Sequence, residues 1–417
     1  GDCPSFGRYG DIYKAYSPEN FVLNANTIYF RQRRLPVQLQ PLVKVKVFID
    51  DLSRTLVNFA GDVSNVRTRT ALVPSGLIEF YNKKLKEGGV QIIVTGDSFK
   101  NVIDWWINKL DPEVRSRIVV LSLSSIECRI FNLSSQEWEI VFEPKDFFND
   151  AQRESWEVFR AAWVRIMLDA ADIFLGESIS ERQGGEQYRY RSGTLNDRGY
   201  ELTPIILEEN RLISDDEVGA INKNLAVYGI SVVKGENRRD AMMKYLEIRF
   251  NGADFEDFRN MGFNPSMIPV RDVVIDCLAI PWNKGRGLRE VMTRRLVEQI
   301  LGNELDWEIE AEMHADQFSA NDGDTAKALP NTPALSVGNE DPALCPPNVI
   351  VHKGATSETS KGPSALLENL QSRSKNTTLE YGMLTNDGRL NIRRLEKLLG
   401  ATATEIIRKD AGNKDIT

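Results

Sequence analysis

Short apolar runs alternate with amphipathic stretches over residues 43–123. The first apolar run, residues 43–49, ends at Asp50 and Asp51, as expected of a central strand that leads into a functional loop. The same patterns predict further strands at 90–94 and 118–123 and helices at 72–86 and 99–110. This succession of strand, helix and strand favours an α/β fold with a doubly wound, parallel, Rossmann-like sheet.

The pattern changes near residue 150. An aromatic helix at 154–171, a polar glycine-rich stretch at 178–198 and a mixed segment around 225–250 predict an inserted α+β domain. The α/β pattern then resumes with a strand at 273–280, a helix at 287–300 and a strand at 349–351. The predicted organisation is an extended N-terminal arm at 1–41, the first part of the core at 42–149, the inserted domain at 150–270, the second part of the core at 271–370, and a polar C-terminal extension at 371–417 with an amphipathic helix at 390–399.

Composition narrows the classes of function. Lysine and arginine total 52 against 60 aspartate and glutamate, a formal charge of -8, which argues against nucleic acid as the partner. No run approaches the roughly 18 apolar residues of a membrane-spanning helix, so no membrane insertion is expected. Four cysteines without CxxC spacing predict reduced thiols. We therefore expect a soluble protein of a reducing compartment, either the cytoplasm or an organelle interior such as a plastid after removal of a targeting peptide.

Polar side chains follow the first two predicted strands. Asp51 emerges from a buried strand into a turn, where a carboxylate is a plausible nucleophile towards phosphorus. Thr95 and Gly96 follow the second strand, and the threonine hydroxyl with neighbouring amides could hold phosphoryl oxygens. Parallel strands end at the same edge of a sheet, so these residues are expected to share one site.

Two later segments add charged groups to this candidate site. Lys284 opens a predicted helix, where its ammonium group could offset the charge of a phosphoryl group. Asp322 and Asp324 offer carboxylate oxygens of the kind that hold magnesium. Each segment alone is more often an ordinary cap, turn or loop, and it is their order along the chain that points to function.

In that order, the four segments resemble the motifs of haloacid dehalogenase-like phosphatases, in the version found in sucrose-phosphatase and Cof-type sugar phosphatases. The resemblance covers about residues 42–370 and implies that the inserted domain is an α+β cap over the active site. The run 335–339 also resembles the segment that trails the family's acidic fourth motif. The matching residues are Asp51 and Thr55 in the first motif, Thr95 and Gly96 in the second, and Lys284 with Gly285 in the third.

The resemblance implies that Asp51 is the nucleophile and a ligand of Mg²⁺. It also implies that the residue two positions later is the general acid and base, but that position is Ser53. A hydroxyl cannot replace a tuned carboxylate, whose proton transfer contributes about 10²–10⁴-fold in rate. The arginine expected after Gly96 is Asp97, which puts negative charge where a phosphate group would approach.

The fourth motif of the family has two aspartates four residues apart. If Asp324 is the second of them, the first is Ala320; if Asp322 is the first, the second is Ala326. One metal ligand is therefore expected to be lost in either register.

These departures predict a catalytically impaired phosphatase-like domain that acts as an interaction or scaffold protein in a larger assembly. Residues 1–41 and 371–417 are the expected contacts with protein partners, because extended arms become ordered on a partner surface. One alternative is a Mg²⁺-dependent sugar-phosphate phosphatase that works through an aspartyl-phosphate. A second alternative is a module that binds a sugar phosphate without turnover.

Overall fold

Two β-sheets and the helices around them make up the part of the chain described by the computed structural model. That part comprises residues 21–24, 27–30, 43–60, 70–180, 187–270, 273–302, 307–352 and 361–373. Within these ranges, no helix combines the length and the apolarity needed to cross a lipid bilayer.

Strands and α-helices alternate along much of the described chain. The strands are β1 (Phe21–Asn24), β2 (Thr27–Phe30), β3 (Val43–Asp50), β4 (Asn58–Ala60), β5 (Thr70–Leu72), β6 (Val90–Val94), β7 (Ile118–Ser122), β8 (Glu127–Asn132), β9 (Glu137–Phe142), β10 (Ser178–Ser180), β11 (Gln187–Tyr190), β12 (Gly193–Asp197), β13 (Glu201–Ile206), β14 (Ser266–Val270), β15 (Val274–Leu278), β16 (Trp307–Ala315), β17 (Ala334–Ser336) and β18 (Val349–Val351). The α-helices are α1 (Ser75–Lys86), α2 (Phe99–Trp105), α3 (Asp150–Leu175), α4 (Asp215–Leu225), α5 (Arg238–Asn251), α6 (Glu256–Asn260), α7 (Lys284–Thr293), α8 (Leu296–Leu301), α9 (Gly323–Ala328) and α10 (Gly362–Arg373).

The larger sheet has eight strands in the order β18-β17-β16-β3-β6-β7-β8-β9. All pairings from β18 to β7 are parallel, and helices α1 and α2 connect β3 to β6 and β6 to β7. The predicted α/β fold is therefore confirmed. The sheet is mixed rather than wholly parallel, because β8 and β9 add an antiparallel edge beyond β7.

Strand β16, which pairs with both β3 and β17, is not predicted by the sequence patterns. It has glutamates at alternate positions and so resembles an exposed strand more than a central one. The register with β3 explains part of this charge, because Glu310 lies opposite Lys46 and their side chains form an ion pair at 3.1 Å.

Apolar side chains of β3 fill both faces of this sheet. Val47 and Ile49 belong to a cluster that continues into the inserted domain, whereas Phe48 packs on the opposite face with Tyr81 and Trp106. The rings of Phe48 and Tyr81 meet edge to face with centroids 5.4 Å apart. Burial on both faces fixes the register of β3, because a slip of one residue would exchange the two faces.

The inserted domain, from α3 to β15, has an antiparallel sheet in the order β10-β11-β12-β13-β15-β14. Helix α3 buries Trp156, Phe159 and Trp163, and the ring of Phe159 stacks on that of Phe263 with centroids 3.8 Å apart. The aromatic pattern of this helix therefore serves the core of the inserted domain.

The predicted domain boundary at 270 is wrong. Strand β15 pairs with β13 and β14, so it is part of the inserted domain, and the chain returns to the core only at α7. An apolar run such as 273–280 indicates a buried strand, but it does not indicate which sheet receives it. The predicted helix at 287–300 is also two helices, α7 and α8, separated at Arg295, which has a left-handed φ of 54°.

Both predicted extensions lie largely outside the described residues. Within the N-terminal arm the structure describes β1 and β2, which pair as an antiparallel hairpin, so this part is not an unpaired extended chain. Helix α10 ends at Arg373, so the predicted boundary at 370 cuts through it. The predicted helix at 390–399 is outside the described residues.

Beneath the ends of β3 and β16 lies a chain of buried polar side chains. The Asp50 carboxylate contacts His314 Nδ1 at 2.6 Å and accepts a hydrogen bond from Gln91 Nε2 at 2.7 Å. The Gln91 oxygen in turn accepts from Trp106 Nε1 at 3.0 Å. Asp50 and His314 are both almost fully buried, so water could not replace the contact between them if it were lost.

We predict that His314→Phe destabilises the core by about 3 kcal/mol, because it leaves the buried Asp50 carboxylate with one partner fewer. The measurement is the free energy of unfolding in urea. Lys46→Met, which breaks the partly exposed pair with Glu310, is the control and should cost about 1 kcal/mol or less. Equal losses for the two variants would contradict the prediction.

Candidate active site

The carboxyl ends of β3 and β6 place two predicted site residues side by side. The backbone N–H of Asp51 donates to the carbonyl of His314 at 2.8 Å, and that of Thr95 donates to the carbonyl of Leu121 at 2.9 Å. Each residue thus continues the sheet pairing one position past its strand. Both side chains are buried, and both line one cavity.

Lys284 reaches this cavity from the first turn of α7. The Asn283 side chain caps the helix by accepting from the backbone N–H of Arg286 at 2.8 Å. Lys284 Nζ lies 2.7 Å from Asp51 Oδ1 and 2.5 Å from Asp322 Oδ1. Gly285 permits this approach, because a Cβ at that position would overlap the carbonyl oxygen of Asp324 in α9.

Asp316, which the sequence analysis did not single out, is the third carboxylate of the site. It follows β16, and its carboxylate oxygen lies with those of Asp51 and Asp322 inside a group that spans at most 4.8 Å. A third carboxylate is therefore present at the site, although one acidic ligand was expected to be lost. Asp316 and Asp322 are six residues apart rather than four. Asp51 was identified as an aspartate just after a buried strand, and the same rule would have identified Asp316 if β16 had been predicted.

Asp324 is not part of this group. Its carboxylate lies 3.6 Å from Lys327 Nζ on the partly exposed side of α9, and it does not line the cavity. Its prediction as a metal ligand is therefore wrong. Asp322 occupies the residue before the helix and turns inward, whereas Asp324 lies within the first turn and turns outward.

The loop after β16 is held by close packing and by hydrogen bonds. A Cβ at Gly338 would overlap the carbonyl oxygen of Asp316, so only glycine lets the two segments approach this closely. The Glu340 carboxylate accepts from the backbone N–H groups of Phe318 and Ser319, each at 2.8 Å. These contacts hold Asp316 near the other two carboxylates.

Burial and mutual repulsion shift the protonation of this group. Loss of contact with water raises the pKa of Asp51 well above its ordinary value, although Lys284 opposes the shift. The same loss of solvation, with repulsion from Asp322, raises the pKa of Asp316 to about 7. Burial alone would lower the pKa of Lys284, but the attraction of Asp322 and Asp51 outweighs it and raises that pKa, so the ammonium stays charged.

The cavity has a volume of about 490 Å³ and lies between the core and the inserted domain. Ser53 and Gly96 also line this cavity. Among the predicted site residues, only Asp324 does not line it. Among the described residues, the acids lining it are Asp51, Asp97, Glu208, Glu209, Asp276, Asp316 and Asp322, and the basic residues are Arg54, Arg198 and Lys284. This excess of acids disfavours a phosphate dianion unless a cation or protons offset it.

Ser53 and Asp97, the two residues that depart from the resembled motifs, contact each other. Ser53 Oγ donates to Asp97 Oδ2 at 2.6 Å. The Asp97 carboxylate also lies 3.4 Å from Thr95 Oγ1 and 3.5 Å from Asn101 Nδ2. The Asp97 side chain is therefore directed along the cavity wall towards Ser53.

The inserted domain contacts the core at this site through Arg198. Its Nη1 donates to the Gly96 carbonyl at 2.9 Å and to Glu201 Oε1 at 2.6 Å. Close by, Thr203 Oγ1 donates to Asp276 Oδ1 at 3.4 Å. Burial and repulsion from Glu201 raise the pKa of Asp276 to about 8, with Arg198 opposing the shift.

No protein-family model and no curated protein sequence matches the chain. Solved structures that it resembles include the C-terminal domain of the C. albicans trehalose-6-phosphate phosphatase, at 13% identity over 80% of this chain and 94% of that chain with a TM-score of 0.43. Another is the Synechocystis sucrose-phosphatase in complex with sucrose and phosphate, at 12% identity over 80% of this chain and 99% of that chain with a TM-score of 0.38. A third is a haloacid dehalogenase-like hydrolase from Bacteroides thetaiotaomicron, at 13% identity over 78% of this chain and 99% of that chain with a TM-score of 0.40. At such identities and TM-scores, the fold class rests on the strand order of this chain and not on the likeness.

We predict that Gly338→Ala weakens the binding of divalent cations, because the added methyl group pushes Asp316 away from Asp51 and Asp322. The measurement is Mn²⁺ affinity by electron paramagnetic resonance. Gly219→Ala in α4, where a Cβ meets nothing within 4 Å, is the matched control and should leave the affinity unchanged. Unchanged affinity in Gly338→Ala would show that the loop after β16 does not position a ligand.

The raised pKa of Asp276 predicts a dependence of stability on pH. The folded protein keeps a proton on Asp276 that the unfolded chain releases near its ordinary pKa of about 4, so the free energy of unfolding should fall as pH rises from about 4 to about 8. Asp276→Asn, which cannot ionise, should gain stability relative to the native protein between about pH 5 and pH 8. Urea unfolding of both proteins at the two pH values tests this, and a stability difference that does not change with pH would contradict it.

Proposed function

We propose that this chain is a Mg²⁺-dependent phosphatase of phosphate monoesters that forms an aspartyl-phosphate on Asp51. The observation that carries the proposal is the convergence of Asp51, Asp316 and Asp322 around the ammonium group of Lys284. Three carboxylates so close together are unfavourable in a structural core, and buried charge of this kind is typical of a functional site.

Within this site, each group has a chemical task. An Asp51 oxygen attacks phosphorus, and Lys284 orients that carboxylate and favours its ionised form against the effect of burial. The Thr95 hydroxyl and the Gly96 amide, at the end of the adjacent strand, offer donors for phosphoryl oxygens. The Asp51 carboxylate is then the acceptor of the phosphoryl group and Lys284 the fixed positive charge beside it.

The residues present fit a magnesium ion. Asp51, Asp316 and Asp322 provide the hard oxygen ligands that Mg²⁺ prefers. The Oδ1 atom of Asn321, which lines the same cavity, is buried and accepts no hydrogen bond from the described residues, so it offers a further oxygen. When bound, the ion supplies positive charge that offsets the phosphoryl oxygens and the excess of carboxylates.

The proposed substrate is a sugar phosphate. The inserted domain lines its side of the cavity with groups that can hydrogen-bond hydroxyls, among them Thr203, Glu208 and Asp276, and with the apolar side chains of Ile205 and Val274. This mixture suits a ligand with hydroxyl groups on a carbon ring. The predicted scaffold role depends on segments that lie largely outside the described residues, and it stays a prediction.

Turnover of a panel of sugar phosphates with Mg²⁺ tests the proposal. Asp51→Asn should lower the rate by about 10⁴-fold or more, as expected for removal of a nucleophile. Asp316→Asn should raise the Mg²⁺ concentration needed for half the maximal rate by about 100-fold, since even outer-shell partners of a metal ligand are worth about 10–100-fold.

The matched control is Asp324→Asn, an identical change outside the carboxylate group, which should leave turnover unchanged. Phosphorylated Asp51 should be detectable by mass spectrometry after acid quenching. The proposal fails if the native protein turns over no sugar phosphate and forms no phosphorylated Asp51 in the presence of Mg²⁺.

A further inference from the structure

We propose that Asp97 and Ser53 form a proton relay in this cavity, with Asp97 as the acid and base and Ser53 as the group that passes the proton. The inference rests on the proposed phosphatase function and assigns two further residues of its site. The observation behind it is the 2.6 Å hydrogen bond from Ser53 Oγ to Asp97 Oδ2 in the wall of the cavity that Asp51 also lines.

The backbone directs Ser53 to the same cavity as the nucleophile. Leu52 is fully buried in the apolar cluster below the sheet, so its two neighbours, Asp51 and Ser53, face the cavity. The turn is closed by the Val57 N–H, which donates to the Leu52 carbonyl at 3.0 Å, and by the Arg54 N–H, which donates to the Val57 carbonyl at 2.6 Å. The Ser53 hydroxyl is thereby fixed two positions from Asp51.

Hydrogen bonds of its backbone also fix the position of Asp97. Its N–H donates to Thr95 Oγ1 at 3.1 Å, and its carbonyl accepts from the Leu123 N–H at 3.0 Å. Its carboxylate differs from those of Asp51 and Asp322, because none of the ion pairs formed by the described residues involves it. Its hydrogen-bonded partner is thus a hydroxyl group, along which a proton can pass, whereas the carboxylates of Asp51 and Asp322 are bonded to the ammonium group of Lys284.

Both chemical steps balance through this pair. In the first step, an Asp51 oxygen bonds to phosphorus while the bond from phosphorus to the substrate oxygen breaks. Ser53 gives its proton to the departing oxygen and takes the proton of the Asp97 carboxyl group, which releases the alcohol and leaves Asp97 ionised. The relay thus supplies the proton that an alkoxide leaving group needs.

In the second step, water attacks the phosphorus of the aspartyl-phosphate, and the bond from phosphorus to Asp51 breaks. The water proton passes to Ser53 as the Ser53 proton passes to Asp97, so phosphate leaves and Asp97 is again protonated. The observed hydrogen bond has the direction that this step requires, with Ser53 donating to Asp97.

Asp276 is the rival source of the proton. It also lines the cavity, on the side of the inserted domain, and its carboxyl group is buried. Its hydrogen bond is to Thr203, which belongs to the same antiparallel sheet, whereas Asp97 is bonded to a residue two positions from the nucleophile. The geometry therefore favours Asp97, and Asp276→Asn is the comparison that separates the two.

The experiment measures a sugar phosphate and p-nitrophenyl phosphate with native protein, Asp97→Asn, Ser53→Ala, Asp276→Asn and the double variant Ser53→Asp/Asp97→Asn. With the sugar phosphate, Asp97→Asn and Ser53→Ala should each lower kcat by about 10²–10⁴-fold. With p-nitrophenyl phosphate, whose leaving group needs no proton, both should give a stoichiometric burst of p-nitrophenolate followed by slow turnover, as phosphorylated Asp51 accumulates. The double variant puts a carboxylate at position 53 opposite an amide at position 97 and should recover at least about tenfold of the loss.

Thermal melting shows whether each variant is folded, and the double variant tests the chemistry even if a single variant is destabilised. The relay is overturned if the native protein is active and Asp97→Asn has the same kcat as the native protein. It is also overturned if Asp97→Asn slows the burst and the later phase equally, or if the double variant is no faster than Asp97→Asn. A burst in Asp276→Asn but not in Asp97→Asn would assign the proton to Asp276 instead. Absence of turnover by the native protein is a separate result, which overturns the proposed function and the relay with it.

Discussion

Three carboxylates crowd around one ammonium group, and the geometry of the site follows from their mutual repulsion and its offset by that cation. Asp51 and Asp322 are almost fully shielded from water, and each binds the same Nζ atom of Lys284. Without that cation, repulsion between the carboxylates would separate the loops that carry them, since an unpaired buried charge is strongly destabilising. The close approach of α7 to α9 at Gly285 is therefore a condition of the site as much as of the fold.

The excess of acids also limits which ligands the cavity can hold. One lysine cannot neutralise the acids that surround it, so an anionic substrate would meet net repulsion unless a divalent cation were bound. The inserted domain adds Arg198, which is bonded to the Gly96 carbonyl, and Asp276, whose pKa is raised by burial and by repulsion from Glu201. The contact between the inserted domain and the core is therefore polar at this site. The protonation state of Asp276 contributes to the charge balance of the cavity.

Ser53 and Asp97 can be interpreted differently once their contact in the folded chain is known. Along the sequence, each looks like the loss of a group that phosphatase chemistry needs. In the folded chain the two side chains share one hydrogen bond, and the Asp97 carboxylate, which follows the adjacent strand, lies beside the residue two positions after Asp51. Two residues 44 positions apart in the sequence are thus in direct contact, which no local pattern indicates.

Adjacent residues encode the local elements of this chain and the polar side chains that follow them. Periodicity marked β3, β6, β7 and their ends, and so it identified Asp51, Thr95 and the first turn of α7 with Lys284, because a strand end and a helix start are properties of adjacent residues. Other features emerge only in the folded chain. Strand β16 is central, Asp316 joins the other two carboxylates, β15 joins the sheet of the inserted domain, and Asp324 turns away from the site. These features depend on which distant segments pair. The charged residues of β16 make it look exposed in the sequence, because their partners, Lys46 and the network around Asp50, lie on a distant strand.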